Sequence, residues 1–121
     1  MSKRILVIED QEDNRRILRD LLASASYEII EAVTGEEGVT LAETHRPDLI
    51  LMDIQLPGLD GYEATRRIKA NPALRGIPII AVTSYALSGD DVKAFQAGCD
   101  AYVTKPFSPR QLLAKIREYL P

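Results

Sequence analysis

One cysteine, Cys99, and one histidine, His45, are all that 121 residues provide of two residue types that carry much protein chemistry. A lone thiol cannot close an internal bridge, so nothing points to an oxidising compartment. His45 has no second nitrogen or sulfur ligand nearby and reads as a surface residue in the last turn of a helix, where a cation suits the dipole. A basic surplus is missing too: 15 Lys and Arg stand against 18 Asp and Glu, net charge −3, so no positive field exists to draw in nucleic acid or anionic lipid. Long apolar runs are also absent, since the one after Ser2-Lys3-Arg4 is cut at Glu9-Asp10, far short of a signal or membrane-spanning segment. The expectation is a cytoplasmic protein with neither nucleic acid nor membrane as a direct partner.

What is present is an ordinary globular composition, 45% hydrophobic and 27% charged, in a length that fits one domain. A chain of this size buries about two thirds of its unfolded surface without needing a staple. No repeat, low-complexity tract or long linker interrupts it.

The most informative stretch is Leu49-Ile50-Leu51-Met52-Asp53, an unbroken apolar run between Pro47-Asp48 and Pro57-Gly58 that ends abruptly in an acid. Such a run predicts a strand buried on both faces, as in parallel sheets. Arg4-Ile5-Leu6-Val7-Ile8 is a second, ending in Glu9-Asp10, and Ile77-Pro78-Ile79-Ile80-Ala81-Val82 a third, delivering Thr83-Ser84. Tyr27 to Ala32 has polar positions and reads as an edge strand; Cys99 to Thr104 is a short final strand ending at Lys105-Pro106.

Helical patterns fill the gaps. The first should bury Ile17, Leu18, Leu21 and Leu22 and leave Arg15, Arg16 and Arg19 solvated. Thr34 with Glu37 has capping-box spacing ahead of Val39, Leu41 and Ala42, and Pro47 ends that helix. Asp60 caps a helix from Tyr62 to Ala70, closed by Asn71-Pro72. Ser88-Gly89-Asp90-Asp91 opens a short helix with Val92, Phe95 and Ala97 as its thin apolar side, stopped by Gly98. Ser108-Pro109 opens the last, with Leu112, Leu113, Ile116 and Leu120 inward.

Strand and helix alternate about five times with short connections, which requires crossovers to parallel neighbours. The fold class is a doubly wound, flavodoxin-like α/β domain with a parallel five-stranded sheet. In the order 2-1-3-4-5, ligands bind beyond the carboxyl ends of strands one and three, where strand order reverses. Those strands end in Glu9-Asp10 and Asp53; the fourth contributes Thr83 and Ser84, the fifth Lys105, and the remote second only Ala32-Val33. Three converging carboxylates repel, and one ammonium offsets only part of that charge. A hard divalent cation is the complement, and Mg²⁺ takes one or two carboxylates with retained waters and a phosphate oxygen. A carboxylate so placed can act as a nucleophile on phosphorus, forming an acyl phosphate, with metal, lysine and hydroxyl orienting the phosphoryl oxygens.

Over nearly its whole length the chain resembles the receiver domains of two-component response regulators. The marks are Glu9-Asp10, Leu51-Met52-Asp53-Ile54-Gln55-Leu56-Pro57-Gly58-Leu59-Asp60-Gly61, Thr83-Ser84 and Lys105-Pro106, in that order and spacing. Ile77 to Phe107 is most similar to single-domain regulators of the DivK type. The resemblance implies that Asp53 accepts a phosphoryl group from a histidine kinase or histidine phosphotransfer protein. It implies Mg²⁺ held by Asp10, Asp53 and the Gln55 main-chain carbonyl, and by Glu9 through water. Thr83 and Lys105 would hold the phosphoryl group, and Tyr102 would be a switch aromatic that follows Thr83. Aspartate is more usual at Glu9 and alanine at Ser84, while Gln55 and Tyr85 match positions that tune phosphoryl lifetime.

The responding surface would be the fourth helix, fifth strand and fifth helix, with Leu87, Val103, Phe107 and Pro109 as apolar candidates. Nothing follows Leu120-Pro121, so residues 1–121 are expected to be a single receiver domain without an output domain, signalling through another protein. The alternatives are a receiver excised from a hybrid kinase and an aspartyl-nucleophile phosphatase. The first would not change the site; the second calls for a cap over its substrate, and the chain is short of residues for one.

Overall fold

Five short aliphatic segments pair into one sheet. They are β1 (Arg4–Ile8), β2 (Glu28–Ala32), β3 (Leu49–Asp53), β4 (Ile79–Thr83) and β5 (Ala101–Thr104). Between and after them run α1 (Glu12–Ser24), α2 (Gly35–His45), α3 (Gly61–Ala70), α4 (Asp90–Ala97) and α5 (Pro109–Tyr119). The structure is a computed structural model that describes residues 2–83, 90–105 and 108–121. Every strand pair is parallel and the order is β2-β1-β3-β4-β5, as the alternation predicts.

Strand alternation divides the core in two. Leu6, Ile8, Ile50, Met52, Ile79 and Ala81 point to one face, where Ala42 of α2, Ala64 and Ile68 of α3 and Ala94 of α4 cover them. Ile5, Val7, Leu49, Leu51 and Ile80 point to the other, under Leu18 and Leu22 of α1 and Leu112 and Ile116 of α5. Both faces being covered explains why β3 and β4 carry no exposed residue. β2 lies at the edge and is only half-buried.

The helix starts follow their capping chemistry. Thr34 Oγ1 accepts from the Glu37 amide at 3.0 Å, Asp60 from Glu63 at 2.9 Å and Ser108 from Gln111 at 3.0 Å, with Pro109 in the first turn of α5. The Glu37 carboxylate accepts from the Val33 amide at 2.7 Å, one residue before the position a capping box uses. The proposed cap at Ser88-Gly89 lies outside the described residues.

Three expectations for the helices are corrected. Ile17 is 57% exposed, because the buried row of α1 is Leu18 and Leu22, one turn apart, with Leu21 at its flank. Val92 and Phe95 are each 51% exposed, and α4 packs through Ala94 and Ala97 instead. That helix has two apolar stripes of i, i+3 spacing, and the small-residue stripe is the one turned inward. Arg15 is not solvated, since its side chain is 12% exposed and engaged in ion pairs. Cys99 is buried beside the Thr65 hydroxyl, 3.7 Å away, and burial pushes its thiol up from the ordinary range.

Candidate functional site

Parallel register aligns the carboxyl ends of the central strands, with Ile8 beside Met52, Asp53 beside Val82 and Thr83 beside Thr104. The residues at or just past those ends therefore meet along one edge. Glu9 continues the β1 ladder by donating its amide to the Ala32 carbonyl at 3.0 Å. Glu9 is 2% exposed and Asp53 4% exposed, while Asp10 is half-buried. One carboxylate oxygen from each of the three lies within 4.8 Å of the others.

Burying carboxylates together is costly unless charge and hydrogen bonds compensate. Lys105 Nζ lies 2.7 Å from Glu9 Oε1 and 3.7 Å from Asp53 Oδ2, so one ammonium serves two buried acids. The Gln11 amide donates to Glu9 Oε2 at 3.2 Å and the Gln55 amide to Asp53 Oδ1 at 3.1 Å. Asp10 is compensated less, and its carboxyl is held above its ordinary range. Desolvation is the main cause, reinforced by its hydrogen bond to Glu9 and by the Glu9 charge, and only partly countered by a backbone hydrogen bond and Lys105. The donor set is oxygen only and over-negative, which fits a hard divalent cation such as Mg²⁺ better than the softer zinc or copper.

Thr83, fully buried at the end of β4, accepts a 2.6 Å hydrogen bond at Oγ1 from Gln55 Nε2. Its carbonyl accepts from the Lys105 amide at 2.6 Å, tying the ends of β4 and β5 together. Glu9, Asp10, Asp53, Gln55, Thr83 and Lys105 thus share one crevice. Tyr102 is half-buried on β5, beside Ala81 and packed against the core face that α2, α3 and α4 cover. Ser84, Tyr85 and Pro106 lie outside the described residues.

Arg15 was missed as part of this neighbourhood. Its Nη1 donates to the Glu9 carbonyl at 3.0 Å and its Nε lies 3.5 Å from Glu31 Oε1, with Glu12 on its remaining nitrogen. Arg19 holds the same Glu31 through two bonds, 2.9 and 2.8 Å. The available signal was charge spacing: Arg15 and Arg19 lie one turn apart, three and seven residues after Glu12.

Residues 5–117 match the family described as response regulator receiver domain. The chain belongs to that family. The receiver is a regulatory signalling domain of two-component systems, so the resemblance drawn from the motifs holds, and the phosphatase alternative is not favoured. Among its relatives, the polar-differentiation response regulator DivK of Brucella anthropi is 46% identical over 120 residues, covering 99% of this chain and 98% of that one. DivK of Brucella ovis is 45% identical with the same coverage. The receiver domain of a sensor histidine kinase from Pseudomonas aeruginosa PAO1, which has a magnesium ion coordinated in its active-site cleft, superposes with a TM-score of 0.93 at 39% identity, covering 99% and 98% of the two chains. The receiver domain of the Saccharomyces cerevisiae response regulator crystallised with a histidine phosphotransfer protein gives a TM-score of 0.90 at 31% identity, covering 98% and 88%. Among the described residues of this receiver, no helix is long and apolar enough to cross a membrane.

Proposed function

We propose that residues 1–121 act as one cytoplasmic receiver unit in which Asp53 takes a phosphoryl group from phosphohistidine and passes the change on through protein contacts. The observation that carries this reading is the meeting of three carboxylates within 4.8 Å beside Lys105, at the strand end next to Thr83. An Asp53 oxygen attacks phosphorus, the P–N bond to the donor imidazole breaks, and its electron pair returns to the ring, leaving an acyl phosphate on Asp53. The donor is a histidine kinase or a histidine phosphotransfer protein; the yeast receiver crystallised with such a protein supports that class.

Asp10, Asp53 and the Gln55 carbonyl are the residues that would hold Mg²⁺ directly, with Glu9, already paired to Lys105, reaching it through water. Bound there, the ion supplies charge neutralisation for the carboxylates and the incoming phosphoryl oxygens. Lys105 and the Thr83 hydroxyl are the donors positioned to satisfy those oxygens in the product. A new dianion supplies the differential contact that a population shift requires, with Thr83 and Tyr102 as the moving pair. The output face is α4, β5 and α5. Val103 on it is half-buried and Pro109 exposed, while Val92 and Phe95 are the large apolar side chains that α4 presents to solvent. Leu87 and Phe107 lie outside the described residues.

Incubation with Mg²⁺ and a small phosphodonor should add one phosphoryl mass to the intact protein, an adduct that does not form when EDTA is present during the reaction and is absent in Asp53→Asn. No adduct with several donors, or an adduct retained by the asparagine variant, would overturn the reading.

A further inference from the structure

The Thr83 hydroxyl is already committed before any phosphoryl group arrives. It is fully buried, and the Gln55 carboxamide donates to it at 2.6 Å across 28 residues of sequence. The main-chain amide of the same Gln55 donates to Asp53 Oδ1 at 3.1 Å. Gln55 therefore spans the acid and the hydroxyl, with its main chain on one and its side chain on the other.

We propose that Gln55 is a positioning residue that restrains Thr83 in its resting place, and so sets how readily the protein enters its phosphorylated conformation. The proposal rests on the phosphoacceptor reading of Asp53 above and deepens it. For Thr83 to donate to a phosphoryl oxygen on Asp53, its oxygen must leave the place where Gln55 meets it. Thr83 has little freedom to do so while keeping that bond, because its carbonyl is also tied to the Lys105 amide at 2.6 Å. Breaking a buried neutral hydrogen bond before a new one forms costs the resting state its partner, and the net difference between states for such a bond corresponds to about two- to ten-fold in an equilibrium. A ligand that demands the second conformation binds more weakly by the same factor while the restraint is present.

Beryllofluoride, a stable mimic of an aspartyl phosphoryl group, reads this equilibrium without turnover. Its affinity is measured at saturating Mg²⁺ for the wild type, Gln55→Ala and Gln55→Met, the last keeping the side-chain bulk without the donor. The same Gln55→Met change is then made in a Thr83→Ala background. The expected result is that both Gln55 variants bind about two- to ten-fold more tightly than wild type, and that Gln55→Met has no effect once the hydroxyl is gone. Thermal melts accompany each variant, so a loss of fold is not read as a loss of affinity. Unchanged or weaker binding in Gln55→Met overturns the proposal, as does an equal gain in the Thr83→Ala background, which would show that Gln55 acts on something other than Thr83. Failure of the phosphoacceptor reading looks different: beryllofluoride would then fail to bind wild type, or would bind Asp53→Asn equally well.

Discussion

Asp53 is the buried acid that ends β3. It stands 4% exposed among two other carboxylates with one ammonium 3.7 Å away, and two like charges at such spacing repel by about 3–4 kcal/mol at an effective dielectric near 20. Asp53→Asn keeps the shape and most hydrogen-bonding capacity while removing one charge. In Mg²⁺-free buffer it should raise unfolding stability by roughly 1 kcal/mol, read from urea titration, and the gain should shrink when Mg²⁺ saturates the wild type. Lys105→Met moves the other way. It strips the 2.7 Å partner from Glu9, which is 2% exposed, and should cost about 1–3 kcal/mol in the same assay. The two signs separate a buried charge crowded by like charges from one that compensates them. The chemical types Glu9, Asp10, Asp53, Thr83 and Lys105 were readable one residue at a time, because each stands at or within two residues of the end of a segment that reads as a strand. The contact between Gln55 and Thr83 was not, because it joins residues on neighbouring strand ends that no local pattern relates.

At the scale of elements, α3 begins hard against the end of β3. A Cβ on Gly61 would lie 2.4 Å from the Asp53 carbonyl oxygen and 2.7 Å from Ile54 Cα, both backbone atoms that cannot swing away. Helix propensity alone would make alanine better here by about 1 kcal/mol. The steric conflict wins: Gly61→Ala should destabilise by about 1–3 kcal/mol and weaken phosphoryl uptake at Asp53, checked by urea unfolding and intact mass. The tie between α1 and β2 gives a pH signature. Arg19 holds the Glu31 carboxyl below its ordinary range, chiefly through its hydrogen bonds, with its charge and that of Arg15 adding and burial opposing. A depressed folded pKa contributes stability that is present above the unfolded value and lost as pH falls through the folded one. Glu31→Gln should therefore flatten the stability profile below about pH 4 and leave its shape near neutrality unchanged, by urea titration across that range. Helix existence was legible from caps and periodicity. The inward face of α4, and the place of Ile17 on α1, were not, because both helices carry more apolar residues than the sheet has room to cover.

Across the whole molecule, two cores on opposite faces of one sheet hold the strand ends in register. Ile80, fully buried under α5, is far enough down its strand to leave the crevice chemistry alone. Ile80→Ala should cost about 2–5 kcal/mol in unfolding. Adding Mg²⁺ should raise the melting temperature of the wild type in a concentration-dependent way, and of Asp10→Asn far less, by differential scanning calorimetry. The amino-acid sequence by itself determined the five strands, their parallel arrangement, and the placement of acids, hydroxyl and lysine at the ends nearest the crevice. Those follow from period, length and chemical type, which are local properties. Only the tertiary structure decided which stripe of α4 turns inward, that Arg15 braces Glu9, and that Gln55 reaches Thr83. Each of these depends on how closely distant segments approach, and that distance is set by side-chain volume and register across the sheet rather than by any neighbour in sequence.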